Sequence, residues 1–200
     1  EYSLKPENTN ILPYKDENRD YQEIEIIQVK LHQQTKTKRI AEIVMRSIPY
    51  PILLLITCQD AIQLYTAHQR LNLNDATKIT LEELVFTEFF DIKTLTDHDK
   101  KFLESLNFKT LNQKNFYEMY ADIMDKINLY NASKLKESYI KELSPEEAKT
   151  ILQQVNELDS QITNLKNKVK PDTPINERVT LNIEIKTLKQ QRQDLLDKIE

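Results

Sequence analysis

The first regular hydrophobic pattern in the chain is a run rich in β-branched residues at 21–32, YQEIEIIQVKLH. This run becomes apolar on both faces after Ile26, which is typical of a strand buried inside a sheet. A helix that packs onto the sheet is predicted over residues 36–48, because apolar residues recur there at helical spacing. These residues are Ile40, Ile43, Val44 and Ile48. Pro49 ends the helix.

Three further strands are predicted downstream. The segments ILLLIT at 52–57 and AIQLYTAH at 61–68 flank Gln59 and Asp60, which are turn residues, so the two segments predict a hairpin. The segment KITLEELVFTEFF at 78–90 fits either a strand or a helix, and its Val, Phe and Thr content favours a strand. The order of elements therefore predicts a β-α-β-β-β sheet of the α/β (α+β) class.

Two helices are predicted to cover this sheet or its edge. Thr96 or Asp97 can act as the N-cap of a short helix that contains Leu103 and Leu106. A second helix follows, with apolar residues at spacings of three and four. Its apolar face consists of Phe116, Tyr120, Ile123, Ile127 and Tyr130.

The clearest local signal lies at residues 144–147, SPEE. It combines an N-cap serine, a proline at the first helical position and a capping-box glutamate. Apolar residues then alternate steps of four and three, which is the a/d pattern of a coiled coil. The first arm of this seam consists of Ile151, Val155, Leu158, Ile162, Leu165 and Val169. After the interruption KPDTP at 170–174, the second arm continues with Leu181, Ile185, Leu188, Arg192, Leu195 and Ile199.

The domain organisation follows from these arms. Two arms of about 25 residues joined by a short proline loop fold back most simply as an antiparallel coiled-coil hairpin, and a parallel homodimer with a break is the alternative. We predict a sheet domain at 1–96, a helical segment at 97–143 and the hairpin at 144–200. The chain begins with EYSLKPEN, without methionine and in a strand-like run, so the sheet domain is expected to lack N-terminal residues.

Composition narrows the chemistry. The chain has no glycine, which excludes the glycine-rich phosphate loops of nucleotide-binding proteins, because those turns need positive φ and a close backbone approach. The single cysteine, Cys58, cannot form an internal disulfide, and this favours a cytoplasmic protein. The net charge is −4, so any contact with nucleic acid requires a local basic patch. No apolar run approaches the ~20 residues that cross a bilayer, so no membrane association is expected.

Gln28 and Lys30 are candidate catalytic residues. Side chains two apart on a strand share a face, and some metal-dependent nucleases carry Glu or Gln and Lys in this order. In those sites a nearby Asp helps to hold Mg²⁺ and the Lys polarises the phosphate. Here the upstream Asp16 and Asp20 lie in a polar, loop-like run. The nuclease is therefore the alternative, and a strand with a polar face is the simpler interpretation.

The histidines and the cysteine do not form a predicted site. Cys58 and His68 lie at opposite ends of the predicted hairpin, ~23 Å apart, so they cannot act as nucleophile and base. His32 and His98 have no partner at metal-ligand spacing. We interpret all three histidines as surface or edge residues and expect no metal or cofactor.

The end of the hairpin that includes the proline loop is basic. Residues 166–192 contain seven basic and three acidic residues, a net charge of +4. The candidate contacts to a nucleic-acid backbone are Lys166, Lys168, Lys170, Arg178, Lys186 and Lys189. A solvated coiled-coil face is the simpler interpretation, because mixed Lys and Glu are ordinary there.

The chain resembles a bacterial family catalogued as domain of unknown function 4391. The shared features are EIEIIQVKL, IPYPILLLIT, HQRLN, ITLEELVFTEFF, NFYEMYADIMDKI and NERVTLNIEIKTLKQ. The resemblance implies a small cytoplasmic protein, often encoded near helicases and DNA methyltransferases in restriction-like or phage-defence clusters.

These observations predict a non-enzymatic interaction or scaffold subunit. The hairpin is expected to contact a partner protein or to oligomerise through the apolar seam residues from Ile151 to Leu165 and from Leu181 to Leu195. A helicase or methyltransferase complex is the partner that the resemblance implies. The competing hypothesis is the metal-dependent nuclease built on Gln28 and Lys30.

Overall fold

The computed structural model describes residues 1–72, 75–135 and 143–197. The chain divides into two compact units, Glu1–Tyr130 and Asn131–Glu200. The predicted domain boundaries at residues 96 and 143 stay predictions, as does the predicted loss of N-terminal residues.

The first unit contains short strands and helices around one main sheet. Its described strands are β1 (Tyr2–Leu4), β2 (Tyr14–Lys15), β3 (Asp20–Tyr21), β4 (Ile24–Leu31), β5 (Ile52–Cys58), β6 (Ala61–Asn72), β7 (Asp75–Phe86) and β8 (Phe90–Asp91). Its described helices are α1 (Pro6–Thr9), α2 (Thr37–Ser47), α3 (Asp97–Ser105), a 3₁₀ turn at Phe108–Thr110, and α4 (Phe116–Leu135), which ends in the second unit.

Within the described residues, six strands form one mixed sheet in the order β1-β4-β5-β6-β7, with β8 paired to β6. Strands β4 and β5 are parallel and are connected by α2, while the other pairs are antiparallel. The predicted β-α-β-β-β order and the mixed α/β class are therefore confirmed. Residues 78–86 of the ambiguous segment at 78–90 lie in strand β7, as the composition favoured, and Phe90 begins β8.

Both faces of the sheet are covered. On one face, Met45 of α2 packs with Leu54 of β5 in a buried cluster. On the other face, Leu64 of β6 packs with Phe102 of α3 and Tyr120 of α4. All five residues predicted to line the second cover helix are buried, so the prediction that this helix covers the sheet is confirmed.

The chain makes its tight turns without glycine. Asn10, Lys36 and Gln59 have φ angles of 59°, 56° and 55°, in the left-handed region where glycine is usual. Gln59 lies in the two-residue turn between β5 and β6, which confirms the predicted hairpin. Asn tolerates this region better than Lys or Gln does, so Lys36 and Gln59 are held there by the flanking strands and helix.

The N-terminal segment is more ordered than the sequence predicted. The run that contains Asp16 and Asp20 was interpreted as polar and loop-like, but β2 and β3 pair there as a two-stranded sheet. The Leu71 N–H donates to the Asn18 carbonyl oxygen at 2.7 Å, and the buried Ile11 and Tyr21 join the main core. Elements of two residues carry no readable periodicity, so only these tertiary contacts define them.

The second unit contains two long helices, α5 (Pro145–Lys168) and α6 (Ile175–Asp197). The predicted capping box is present, because the Glu147 N–H donates to Ser144 Oγ at 3.3 Å and the Ser144 N–H donates to the Glu147 carboxylate at 2.9 Å. The Ser144 hydroxyl also donates to the Glu147 carboxylate at 2.7 Å, and this hydrogen bond, followed by the one from the Ser144 N–H, lowers the pKa of Glu147 below its ordinary value.

Helices α5 and α6 form an antiparallel hairpin. Near the loop, Ile162 and Leu165 of α5 pack with Leu181 and Ile185 of α6. At the other end, Val155 packs with Leu196. Residues near the loop therefore contact each other and residues near the two far ends contact each other, which defines an antiparallel pair. Its description as a coiled coil stays a prediction, and Ile199 of the predicted seam lies outside the described residues.

Candidate interaction surface

The predicted seam residues contact each other inside the hairpin. Five of them are buried, namely Val155, Ile162, Leu165, Leu181 and Ile185. The other described apolar seam residues are half-buried around these clusters or in the groove described below, namely Ile151, Leu158, Val169, Leu188 and Leu195. Their contact with a partner stays a prediction. A partner that used this seam would have to displace one helix of the pair.

Two details of the seam differ from a regular apolar repeat. The structure buries Leu196, which was not among the predicted contact residues, against Val155. Arg192 occupies an otherwise apolar seam position, and its Nε donates to Asp159 Oδ1 on α5 at 2.8 Å. The guanidinium is therefore paired across the hairpin, and this explains how a charged residue is tolerated at that position.

A stripe of exposed aliphatic residues lies on α6, outside the seam. Ile175, Val179 and Ile183 are 70%, 53% and 62% exposed. They are spaced four residues apart, so they lie along one side of the helix. We call these three residues the α6 stripe. None of the three belongs to the predicted seam, although the spacing I-x₃-V-x₃-I signals a second apolar face.

A groove lies on the flank of the hairpin, near the ends of the helices that are away from the loop. Its volume is about 490 Å³. Its lining residues are Gln154, Glu157, Leu158, Gln161, Gln191, Asp194 and Leu195. We call it the hairpin groove. Two half-buried leucines provide apolar surface, and the two carboxylates give the groove a negative charge.

The predicted nucleic-acid contacts are solvent-accessible. Arg178 is half-buried, and the other five of these residues are exposed. Among the described residues none of the six forms an ion pair. Their positive charge is therefore available to a ligand, and contact with nucleic acid stays a prediction.

Gln28 and Lys30 lie on the same exposed face of β4, as predicted. Lys30 is opposite Thr57 of the parallel strand β5, and the Gln28 Nε2 donates to Thr57 Oγ1 at 3.2 Å. β4, α2 and β5 follow one another in the order strand, helix, strand. A catalytic role for the two residues stays a prediction.

The two upstream aspartates have local partners. Asp16 accepts hydrogen bonds from the Tyr14 hydroxyl and from the Asn18 and Arg19 N–H groups, and the Tyr14 bond is the main cause that lowers the pKa of Asp16. Asp20 forms an ion pair with Lys15 at 2.6 Å. Within residues 1–72, 75–135 and 143–197, no group of three His, Cys, Asp or Glu side chains is placed to hold a metal ion.

The interpretation of His68 as a surface or edge residue is wrong. His68 is half-buried on the inner strand β6, where its ring stacks on Tyr117 with centroids 5.2 Å apart. Its Nδ1 lies 2.7 Å from the Tyr21 hydroxyl, which also accepts the Gln69 N–H at 3.2 Å. His32 is exposed, as expected. The role of His68 is thus to join the N-terminal segment to the sheet.

The buried Tyr21 predicts a loss of stability at alkaline pH. Burial raises the pKa of Tyr21 to about 12, above its ordinary value of 10.0. The contribution of the protonated Tyr21 hydroxyl to stability is complete below pH 10. It is lost as the pH rises to about 12, because the unfolded chain releases the hydroxyl proton at a lower pH than the folded chain does. The free energy of unfolding should fall by up to about 1.4 kcal/mol per pH unit for this proton. Urea unfolding of wild-type and Tyr21→Phe proteins across this range measures the difference in slope, and equal slopes would contradict the assignment.

The class of protein is now defined by its architecture: a mixed α/β sheet unit followed by a helical hairpin with an exposed apolar stripe. The chain belongs to the DUF4391 family, Domain of unknown function (DUF4391), whose family model matches residues 1–191. No curated protein and no solved structure shows a significant match to the chain. Among the described helices, none is both long and apolar enough to span a lipid bilayer.

Proposed function

We propose that this protein is a non-enzymatic interaction or scaffold subunit that uses the outer surface of its hairpin to contact another protein chain. The observation that carries the proposal is the α6 stripe. Three aliphatic side chains are more than half exposed along one side of a helix whose opposite side is already buried. Contiguous exposed aliphatic residues of this kind mark interaction surfaces more often than isolated ones do.

The buried seam and the exposed stripe have different roles in this proposal. Seam residues such as Ile162 hold α5 and α6 together, so they fix the hairpin as a preformed surface. The stripe then binds without a folding cost in the hairpin, because the helix is already ordered. Complete burial of an exposed aliphatic side chain contributes roughly 1.5–3 kcal/mol, so covering the three stripe residues contributes several kcal/mol to such a contact.

The Val179→Asp variant tests this proposal. A charge at the centre of the stripe should weaken the contact at least about tenfold, because a buried carboxylate would have no partner. The matched control is Thr180→Asp, which adds the same charge at a neighbouring exposed position, about 100° around the helix from Val179. Each tagged protein is captured from cells that encode it, and the bound proteins are quantified by mass spectrometry.

The expected result is a set of bound proteins that is shared by wild type and Thr180→Asp and is depleted for Val179→Asp. Equal capture by all three proteins would contradict the proposed role of the stripe. Circular dichroism of the variants checks that the helices remain folded.

The assembly that this subunit joins is proposed from the family resemblance alone. That resemblance favours a restriction-like or phage-defence assembly with a helicase or DNA methyltransferase. The exposed cations Lys166, Lys168 and Lys170 support an additional contact with a nucleic-acid backbone in such an assembly. A cytoplasmic location accompanies this proposal.

A metal-dependent nuclease is the second candidate function, supported by the shared exposed face of Gln28 and Lys30 beside Thr57. Under the interaction proposal, Lys30→Ala leaves any Mg²⁺-dependent DNA cleavage by the purified protein unchanged. Gln33→Ala, in the exposed loop after β4, is the matched control. A loss of about tenfold or more for Lys30→Ala, but not for the control, would favour the nuclease instead.

A further inference from the structure

We propose that a second copy of this chain covers the α6 stripe, by seating it in its own hairpin groove. This inference rests on the proposed function, because it names the partner of the same exposed stripe. Each contact would thus join two different surfaces of the hairpin.

The hairpin groove requires an occupant that is both apolar and positively charged. Leu158 and Leu195 offer apolar surface that is only partly covered within the hairpin. Glu157 and Asp194 lie next to them in sequence and carry two negative charges into the lining. Among the described residues neither carboxylate forms an ion pair, and Asp194 accepts one hydrogen bond, from Gln190 Nε2 at 2.8 Å.

The α6 stripe has the complementary chemistry. Lys186 follows Val179 by seven residues, or two helical turns, so its side chain extends from the same side of the helix as the stripe. Arg178 lies on the flank of the stripe, and both cations lack an ion-pair partner within the described chain. The stripe presents aliphatic side chains bordered by cations, and the groove presents leucines bordered by carboxylates. The opposite charges favour the arrangement in which the stripe lies in the groove.

The two surfaces lie too far apart for one hairpin to close on itself. Val179 and Asp194 are fifteen residues apart on one continuous helix, which corresponds to about 22 Å at 1.5 Å per residue. The contact must therefore join two molecules, and it pairs the stripe of one copy with the groove of another. Each partner in a stable interface buries roughly 800 Å² of surface. One stripe in one groove buries less surface than this, so the association should be weak and should depend strongly on protein concentration.

Sedimentation of the full chain between about 1 and 500 µM measures this association. The wild-type mass should rise above the monomer mass of 23.7 kDa with concentration and should fall back at high salt. Two variants each remove one surface: Val179→Asp disables the stripe, and Glu157→Lys with Asp194→Lys reverses the charge of the groove. Each variant alone should stay monomeric, and Thr180→Asp should associate like wild type.

Mixing the two variants gives the decisive result. Each retains the surface that the other has lost, so the mixture should form one-to-one dimers at twice the monomer mass and nothing larger. A mixture that stays monomeric, or a wild-type chain that stays monomeric over the whole range, would overturn the inference. The capture experiment with Val179→Asp can still succeed in that case through a different protein, so failure here and failure of the proposed function are distinguishable.

Discussion

Replacing Tyr120 with phenylalanine should lower the free energy of unfolding by about 2 to 3 kcal/mol, because it leaves buried backbone groups without partners. The Tyr120 side chain is fully buried on α4. Its hydroxyl lies 2.7 Å from the Ile52 carbonyl oxygen and accepts the Ala67 N–H at 3.0 Å. These groups lie where the β5–β6 ladder ends, since its last described pair joins Leu54 and Tyr65. The hydroxyl thus continues the ladder between the separating strands.

Urea unfolding followed by circular dichroism measures this effect. Tyr2→Phe is the matched control, because Tyr2 is 57% exposed and removal of its hydroxyl should change stability by less than about 0.5 kcal/mol. Equal stability of Tyr120→Phe and wild type would show that water or a backbone shift satisfies the Ile52 carbonyl and the Ala67 N–H, contrary to the described hydrogen bonds.

Replacing Ile162 with alanine should destabilise the hairpin by about 2 to 4 kcal/mol, because it removes a buried aliphatic side chain and leaves a cavity. Ile162 is 5% exposed and packs with Leu165, Leu181 and Ile185. Ile183→Ala makes the same chemical change on the neighbouring helix at a side chain that is 62% exposed. It should change stability by less than about 0.5 kcal/mol.

The loss of helical circular dichroism on heating or in urea distinguishes the two variants. Equal effects of the two substitutions would mean that α5 and α6 do not pair through the described seam. The stripe would then have no rigid helix beneath it, and the proposed surface would lose its structural basis.

Local signals explain why the hairpin could be predicted from sequence. The capping box at 144–147 satisfies backbone N–H groups at the start of α5 with side chains that are only three residues apart. The alternation of four and three residue steps identifies the buried side of each helix without knowledge of the partner. The parallel pairing of β4 and β5 was likewise predictable, because a helix between two apolar strands imposes a crossover.

Other features depend on contacts between distant residues, and no local pattern defines them. His68 is held by Tyr21 and Tyr117, which are 47 and 49 residues away in sequence. The hairpin groove arises only where two helices meet, so neither helix alone carries its signal. The α6 stripe has a readable period of four residues. The longer seam on the same helix is the stronger pattern, however, and it indicates only one apolar side.

Site-specific photo-crosslinking in cells that encode the protein tests the interaction role most directly. A photo-reactive residue is placed at Val179 in the stripe, or at the exposed Ser160 on α5 as a control. The account predicts a covalent adduct to another protein chain, either a second copy or a different protein, from position 179 and none from position 160. No adduct from position 179, or the same adducts from both positions, would contradict it.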